Sequence, residues 1–457
     1  MNRFLAVLFI FALVSCTNFK PVVFLEKRPI EKGDVFESPW WLTFKDAELA
    51  STVDTAISGN FDILEMYKRF EQAGLMAKKA GSEKFPKFDF NAGVNLTAQD
   101  REKTGNATFD SYSFGLSASY EIDLFGKIRS ASESGMLTFF SSKENLKAAM
   151  ISVSAQVAQT WFNIIGITEK IELTRKQIDN NLALFEILKE RYKNSSSSVV
   201  DVLKQMQNIK SLESFEMSLV LSKQLLINKL NLLVGKKWAK VPTGIQLEEL
   251  SKINFDHYGL DVLMSRPDVK SAWFSLESSA FDVARARALR FPSLSLSASY
   301  MYSSEQIGDI FKNWVFNLGA NLLAPIFDAN NRKLDEERAR KVLEERVVTY
   351  EKTVYTAFKE LKDAILAENN YFSALELLKN QINILEDTVE KQKIRYLNGE
   401  IDFSIFLNDQ STLYSKLRDL SDVKYNLISN RILFYKVIGG DWVDNTLEKK
   451  MNEVEYE

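Results

Sequence analysis

The residues able to do chemistry are few in this 457-residue chain, which holds one histidine and one cysteine. A zinc site needs several spaced nitrogen or sulfur ligands, and a His-based triad needs a nucleophile beside its base, so a lone imidazole serves neither. One thiol cannot close an internal disulfide. No glycine-rich phosphate loop, metal-ligand cluster or nucleophile–base pair is visible, which makes an enzyme the least favoured class and leaves no catalytic, cofactor-binding or metal site to expect. The charges balance at 58 Lys+Arg against 61 Asp+Glu, net −3. A nucleic-acid partner would normally impose a basic excess, and none is expected. At 46% hydrophobic the chain is too apolar for disorder and long enough for a large core.

The cysteine is informative by position. Met1-Asn2-Arg3 is a short positive start, Phe4 to Val14 is an unbroken apolar run, and Ser15 precedes Cys16. This reads as a cleaved signal peptide over 1–15, too short for an ordinary membrane-spanning helix. The stretch LVSC at 13–16 resembles the lipobox of bacterial lipoproteins. On that resemblance Cys16 is the mature N-terminus, carrying covalent diacylglycerol and an N-acyl chain that hold it to outer-membrane lipid at about 0.8 kcal/mol per buried methylene. Beyond it no run of 18 or more apolar residues occurs, so any membrane-spanning part must be β.

An internal duplication organises the rest. Phe85-Pro86 is echoed by Phe291-Pro292, Asp123-Leu124-Phe125 by Pro325-Ile326-Phe327, Arg191-Tyr192 by Arg395-Tyr396 and Val234-Gly235 by Ile438-Gly439, at offsets of 206, 202, 204 and 204. One architecture occurs twice, which is incompatible with a small-period solenoid.

Each copy holds two runs of strict two-residue alternation. Phe88, Phe90, Ala92, Val94 and Leu96 alternate with Asp89, Asn91, Gly93 and Asn95, and Tyr112 to Tyr120 alternate with serines and Gly115. Leu294 to Tyr302 and Trp314 to Leu322 repeat the pattern. These are strands with one apolar and one small polar face, near the ~9–11 residues of a tilted transmembrane strand, although a half-buried sheet of a soluble domain would alternate too. Four strands cannot close a barrel, so chains must share one. Two chains give eight strands and a filled interior, while three give twelve and begin to open a lumen.

After each strand pair comes a long helical stretch. Met150, Val157, Ile164, Ile171, Ile178, Phe185 and Tyr192 keep seven-residue spacing, and Val354, Leu361, Leu375, Ile382, Val389 and Tyr396 continue it at offset 204, with Glu368 as the exception. A sustained heptad spine predicts coiled-coil packing, and at 1.5 Å per residue the helix is about 100 Å long, far beyond the ~30 Å bilayer core. Asn194 to Ser198 and Asn398-Gly399-Glu400 break the two helices, and shorter ones return along Leu212, Leu219, Leu226 and Leu233, and along Phe406, Leu413, Leu420, Leu427 and Phe434.

The expected organisation is a signal peptide over 1–15, an N-terminal segment with the first helices over 16–84, and a barrel hairpin over 85–122 followed by a helical hairpin over 123–235. An equatorial linker and helix over 236–290 leads to the second barrel hairpin over 291–324, the second helical hairpin over 325–438 and an equatorial tail over 439–457. The class is mixed but mainly α.

Several motifs in order then resemble the TolC family of outer-membrane efflux proteins, in particular the lipoproteins that serve resistance-nodulation-division pumps. They are Trp40 to Phe44 with Asp46, YEIDLFGKIRS at 120–130, RPDV at 266–269, ARARALRFPSLSLSASY at 284–300, APIFD at 324–328 and LFYKVIGGDW at 433–442. The resemblance implies a homotrimer with a shared twelve-stranded barrel, a periplasmic tunnel of helices, and a passive exit duct that meets a periplasmic membrane-fusion adaptor and an inner-membrane pump. It places adaptor docking at Ser195, Ser196, Ser197 and Ser198 and at Gly399, Glu400 and Ile401. It also implies an acidic gate, which Asp201 matches, while the second copy has Ile405 and Asn408 where aspartates are common, with Asp402 and Asp409 nearby. A solvated helix carboxylate is an equal alternative reading of Asp201. A type I secretion duct for polypeptides and a non-channel periplasmic coiled-coil protein are the alternatives to drug efflux.

Overall fold

The computed structural model describes residues 38–99, 107–194, 197–235, 238–242, 250–253, 260–440, 442–444 and 446–447. The expected signal peptide and Cys16 lie outside these, as do Ser195 and Ser196. A 3-10 helix, Trp40–Phe44, precedes α1 (Ala47–Gly59) and α2 (Phe61–Ser82). Strands β1 (Lys87–Gln99) and β2 (Ala107–Ile122) lead to α3 (Lys127–Lys193) and its return helix α4 (Val199–Val234). Helices α5 (Leu260–Ser265) and α6 (Pro267–Ala288) open the second copy, followed by β3 (Ser293–Ser304), β4 (Trp314–Leu323), α7 (Asn331–Leu397) and α8 (Phe403–Ile438). The duplication is exact in length: α3 and α7 have 67 residues each, α4 and α8 have 36 each. The class expected from the sequence, long helical hairpins with four strands, holds among the described residues.

The long helices form where nothing interrupts them. No Pro or Gly occurs in α7. Their starts are set by acids: Asp123 Oδ1 and Oδ2 accept from the Ile128 and Arg129 N–H groups at 3.1 and 2.7 Å, and Asp328 Oδ2 accepts from the Arg332 N–H at 3.2 Å. The return helices end at Gly235 and Gly439, with φ of +86° and +75°, a conformation that favours glycine. At Gly235 a Cβ would also lie 2.1 Å from the Gly59 carbonyl oxygen.

The chain divides into two compact units. The first comprises 69–143 and 271–352 and contains all four strands. They form one antiparallel sheet in the order β1-β2-β3-β4. In this unit α3 meets α6 through small side chains: Ser134 Oγ lies 3.1 Å from Ser278 Oγ and donates to Asp282 Oδ1 at 2.8 Å, and Ser141 Oγ is 2.9 Å from the hydroxyls of Ser271 and Ser275. Such residues let two helices approach closely while keeping every hydroxyl bonded.

The second unit comprises the described residues of 38–68, 144–270 and 353–447 and holds the coiled-coil core. Met150, Val157, Ile164, Ile171 and Ile178 of the expected spine are all buried, as are Leu361, Ile382 and Tyr396 of its second copy. Where the first and last described segments meet, Trp40 stacks on Tyr435, with ring centroids 5.6 Å apart, and Trp41 meets Trp442 edge-on at 4.6 Å. Asp46 joins this cluster to α3: Oδ1 caps α1 through the Glu48 and Leu49 N–H groups, and Oδ2 accepts from the Trp161 indole at 2.8 Å. Among the described residues no helix is long and apolar enough to cross a membrane.

Candidate functional site

Two surfaces could do the work of a duct, one in each unit. The first is the sheet. Its register aligns Phe90 with Leu116, Leu116 with Tyr300 and Tyr300 with Phe316 on one face. On the other face Asp89 faces Ser117, Ser117 faces Ser299 and Ser299 faces Asn317. The alternation read from the sequence is therefore carried across all four strands. The apolar face is bare in a single chain, with Phe90 68% exposed and Leu318 75% exposed. A contiguous hydrocarbon surface of this kind needs an apolar covering. The opposite face is polar but uncharged along most of its length, and Asn91 Nδ2 donates to Ser117 Oγ across it at 2.8 Å. Bulky apolar side chains interrupt it at Met301, its partner Val315, and Leu323; at Gly115, opposite Met301, a Cβ would come within 2.7 Å of Met301 Sδ and 2.1 Å of the Tyr300 carbonyl oxygen. The outer edges of β1 and β4 pair with no other strand of the described chain.

The second surface is the pair of turns in the second unit. Gly399 stands at φ +80° just past α7; its N–H donates to the Tyr396 carbonyl at 3.0 Å and that of Glu400 to the Arg395 carbonyl at 2.9 Å, closing the helix with the paired bonds of a Schellman motif. Glu400 folds back to accept from Arg395 Nε at 3.3 Å and Asn398 Nδ2 at 3.2 Å. In the first turn Ser198 caps α4, its Oγ accepting from the Val200 N–H at 3.1 Å. Asp201 answers it: Oδ2 accepts from the Ser198 N–H at 3.4 Å, completing a capping box.

The two turns are held side by side by an apolar knot. Leu184 and Leu188 from α3 pack with Tyr396, Phe403 and Phe406 around the second turn, with Val202 and Ile401 at its margin. Arg191 seals it, its guanidinium 4.8 Å from the centre of the Tyr396 ring and its Nη1 donating to the Tyr396 carbonyl at 3.3 Å. Burial pushes the Tyr396 hydroxyl above its ordinary pKa; the Arg191 charge pulls it back in part and the Asp201 carboxylate adds to the rise.

Of the residues singled out from the sequence, Asp201 is half-buried and close enough to act on Tyr396, whereas Asp402 and Asn408 are exposed and Asp409 is half-buried. Asp402 occupies the N-cap of α8, and its side chain makes no capping bond. Ser197 is half-buried and Ser198, Gly399 and Glu400 are exposed. Sequence reasoning used Arg191 as a landmark of duplication and Tyr396 as a landmark and a spine position, yet they form the contact between the turns. Further from the turns it missed a polar layer: Gln205 Nε2 donates to Asn181 Oδ1 at 2.9 Å inside the first hairpin, and Arg418 of α8 donates to Gln177 Oε1 at 2.8 Å. A polar residue within a heptad pattern was the available signal. Among the described residues no group of three or more His, Cys, Asp or Glu could hold a metal ion.

Comparison with known proteins agrees with this geometry. The sequence pattern of the outer membrane efflux protein family matches residues 52–235 and 261–440, one stretch in each copy of the duplication. The chain is 23% identical over 460 residues to the probable outer membrane lipoprotein SilC of Salmonella typhimurium, covering 97% of this chain and 99% of that protein. It is 27% identical over 411 residues to the solvent efflux pump outer membrane protein SrpC of Pseudomonas putida, covering 87% of this chain and 86% of the relative. The crystal structure of the Campylobacter jejuni CmeC outer membrane channel superposes with a TM-score of 0.85 at 22% identity, covering 93% of each chain, and so shares the fold. With its two matched halves, two-faced sheet and paired helical hairpins, the chain belongs to the outer membrane efflux protein family and is a channel protein rather than an enzyme.

Proposed function

We propose that three copies of this chain build a passive exit duct through the outer membrane, each giving its four strands to one shared twelve-stranded barrel and its helical hairpins to a tunnel in the periplasm. The observation that carries this reading is the sheet, apolar on one face, lined mostly by Ser, Asn and Gly on the other, and unpaired at both edges among the described residues. Four strands are half the number of the smallest outer-membrane barrels, so closure must come from other copies, and twelve strands leave a lumen where eight would be filled. Acyl chains on Cys16 add a lipid anchor.

The turns at Ser195 to Ser198 and Gly399 to Ile401 meet a periplasmic membrane-fusion adaptor, which joins the duct to an inner-membrane pump of the resistance-nodulation-division type. Asp201, with Asp402 and Asp409 nearby, lends the periplasmic end its negative charge. The cargo is small molecules. Relatives named for solvent and toluene efflux favour this over polypeptide secretion. A wall of small uncharged groups suits chemically varied cargo, since it offers nothing to bind tightly.

The test is the accumulation of dyes and drugs in cells lacking the chain, with and without the gene restored, at intact proton gradient. Accumulation reversed by the gene is expected; no change for any small molecule would overturn the efflux reading. Ser197→Arg should lower efflux without loss of the oligomer, and full efflux would remove that turn from the docking surface.

A further inference from the structure

The single break in the second heptad spine, Glu368, is one of the most deeply buried charges among the described residues. Its side chain is 1% exposed and that of its partner Arg431, on α8, is 5% exposed. Arg431 Nε donates to Glu368 Oε1 at 2.9 Å and Nη2 donates to the same oxygen. The second oxygen accepts from Asn430 Nδ2 at 3.1 Å, and that amide also donates to the Ala364 carbonyl at 2.9 Å. Leu361, Ala364, Leu427, Ile428 and Ile432, all buried, stand close by in sequence on the same two helices.

The duplication supplies an internal control. At offset 204, where α3 and α4 have the same lengths as α7 and α8, the corresponding residues are Ile164, Leu226 and Ile227. The same place in the hairpin is thus built from hydrocarbon in the first copy. A buried ion pair is a poor way to gain stability, because desolvation offsets most of the attraction and apolar replacements of similar volume are often neutral or better. The charges in the second copy therefore serve something other than helix packing. What the first copy's hydrocarbon could not do is donate a hydrogen bond, and Arg431 does so: Nη2 donates to the backbone carbonyl of Ser251 at 2.8 Å. Ser251 lies in the linker that carries the chain from α4 into the second copy.

We propose that Glu368 and Arg431 form a clasp for this inter-repeat linker, in which the carboxylate neutralises a guanidinium within the helical core so that its outer N–H can hold the linker backbone. Asn430 fixes the carboxylate in turn. Arginine suits this task because its planar fork engages the acid through Nε and Nη2 and still has a hydrogen left on Nη2, whereas a lysine ammonium is a point donor on a flexible stem.

The experiment is limited trypsin digestion of the full-length protein in detergent, following cleavage after Lys252, next to the clasped carbonyl, and, as a control, after Lys416 in α8. Arg431→Lys keeps the positive charge beside Glu368 and should leave the thermal midpoint near that of the parent while cleavage after Lys252 accelerates at least tenfold and cleavage after Lys416 stays unchanged. The triple variant Glu368→Ile, Asn430→Leu, Arg431→Ile copies the first repeat and should release the linker in the same way without lowering the thermal midpoint. Parental cleavage after Lys252 in either variant would overturn the clasp. So would loss of folding in both, since the pair would then be a stability element. Neither readout depends on what the duct transports.

Discussion

Asp201 has two possible roles that substitution can separate. Its carboxylate closes the capping box with Ser198, and its charge lies near the periplasmic end proposed as the gate. Asp201→Asn keeps an oxygen that can accept from the Ser198 N–H and removes the charge; Asp201→Ala removes both. If the charge gates, block of the channel by multivalent cations in planar bilayers should weaken equally in the two variants, while the thermal midpoint falls only for alanine. Unchanged block in both would leave Asp201 a helix cap alone. Tyr396 gives a pH signature. Because burial raises its folded pKa, the neutral phenol is bound more tightly in the native state, and its contribution is complete below the ordinary tyrosine value of about 10 and is lost as pH rises through the raised value. Thermal midpoints should be level from pH 8 to about 10 and then drop, with Tyr396→Phe removing part of the drop; an identical alkaline limb in that variant would place the effect in other tyrosines.

The helices show which part of the fold could be read from the sequence. The spine of α3 announced itself because hydrocarbon at every seventh residue has one physical meaning, and its members from Met150 to Ile178 are buried. Strand faces were legible for the same reason, period two. The contact between the turns was not, because an Arg-Tyr pair spaced 204 residues from its copy says nothing about which arginine meets which tyrosine; the structure joins Arg191 to Tyr396, one from each hairpin. Nor could Glu368 be understood before Arg431 and the linker were placed against it. Gly166 is a further instance. In a helix interior alanine is favoured over glycine by roughly 0.5–1 kcal/mol, so the sequence alone makes Gly166→Ala a stabilising change. The structure reverses the sign: a Cβ there would lie 2.6 Å from the Tyr425 ring, an overlap in a packed core that costs about 1–3 kcal/mol. Gly166→Ala should therefore lower the thermal midpoint, and Gly166→Ala combined with Tyr425→Leu should recover part of it; a raised midpoint in the single variant would show that Tyr425 moves aside freely.

For the molecule as a whole the decisive feature is a sheet that stops at β1 and β4. Cysteines scanned along Asp89, Asn91 and Gly93 on one edge and Asn317, Gly319 and Asn321 on the other should yield covalent trimers on oxidation in membranes, because each β1 would lie beside the β4 of another copy. Monomers for every pair would sink the shared barrel. The same open sheet also dictates an order of events in biogenesis. A lone protomer entering the bilayer would carry two rows of unsatisfied N–H and C=O groups into hydrocarbon at several kcal/mol each, so a protomer has no stable inserted state of its own. Newly exported chains must find one another before, or while, they enter the membrane, and the yield of finished ducts should rise more steeply than in proportion to the number of chains in transit.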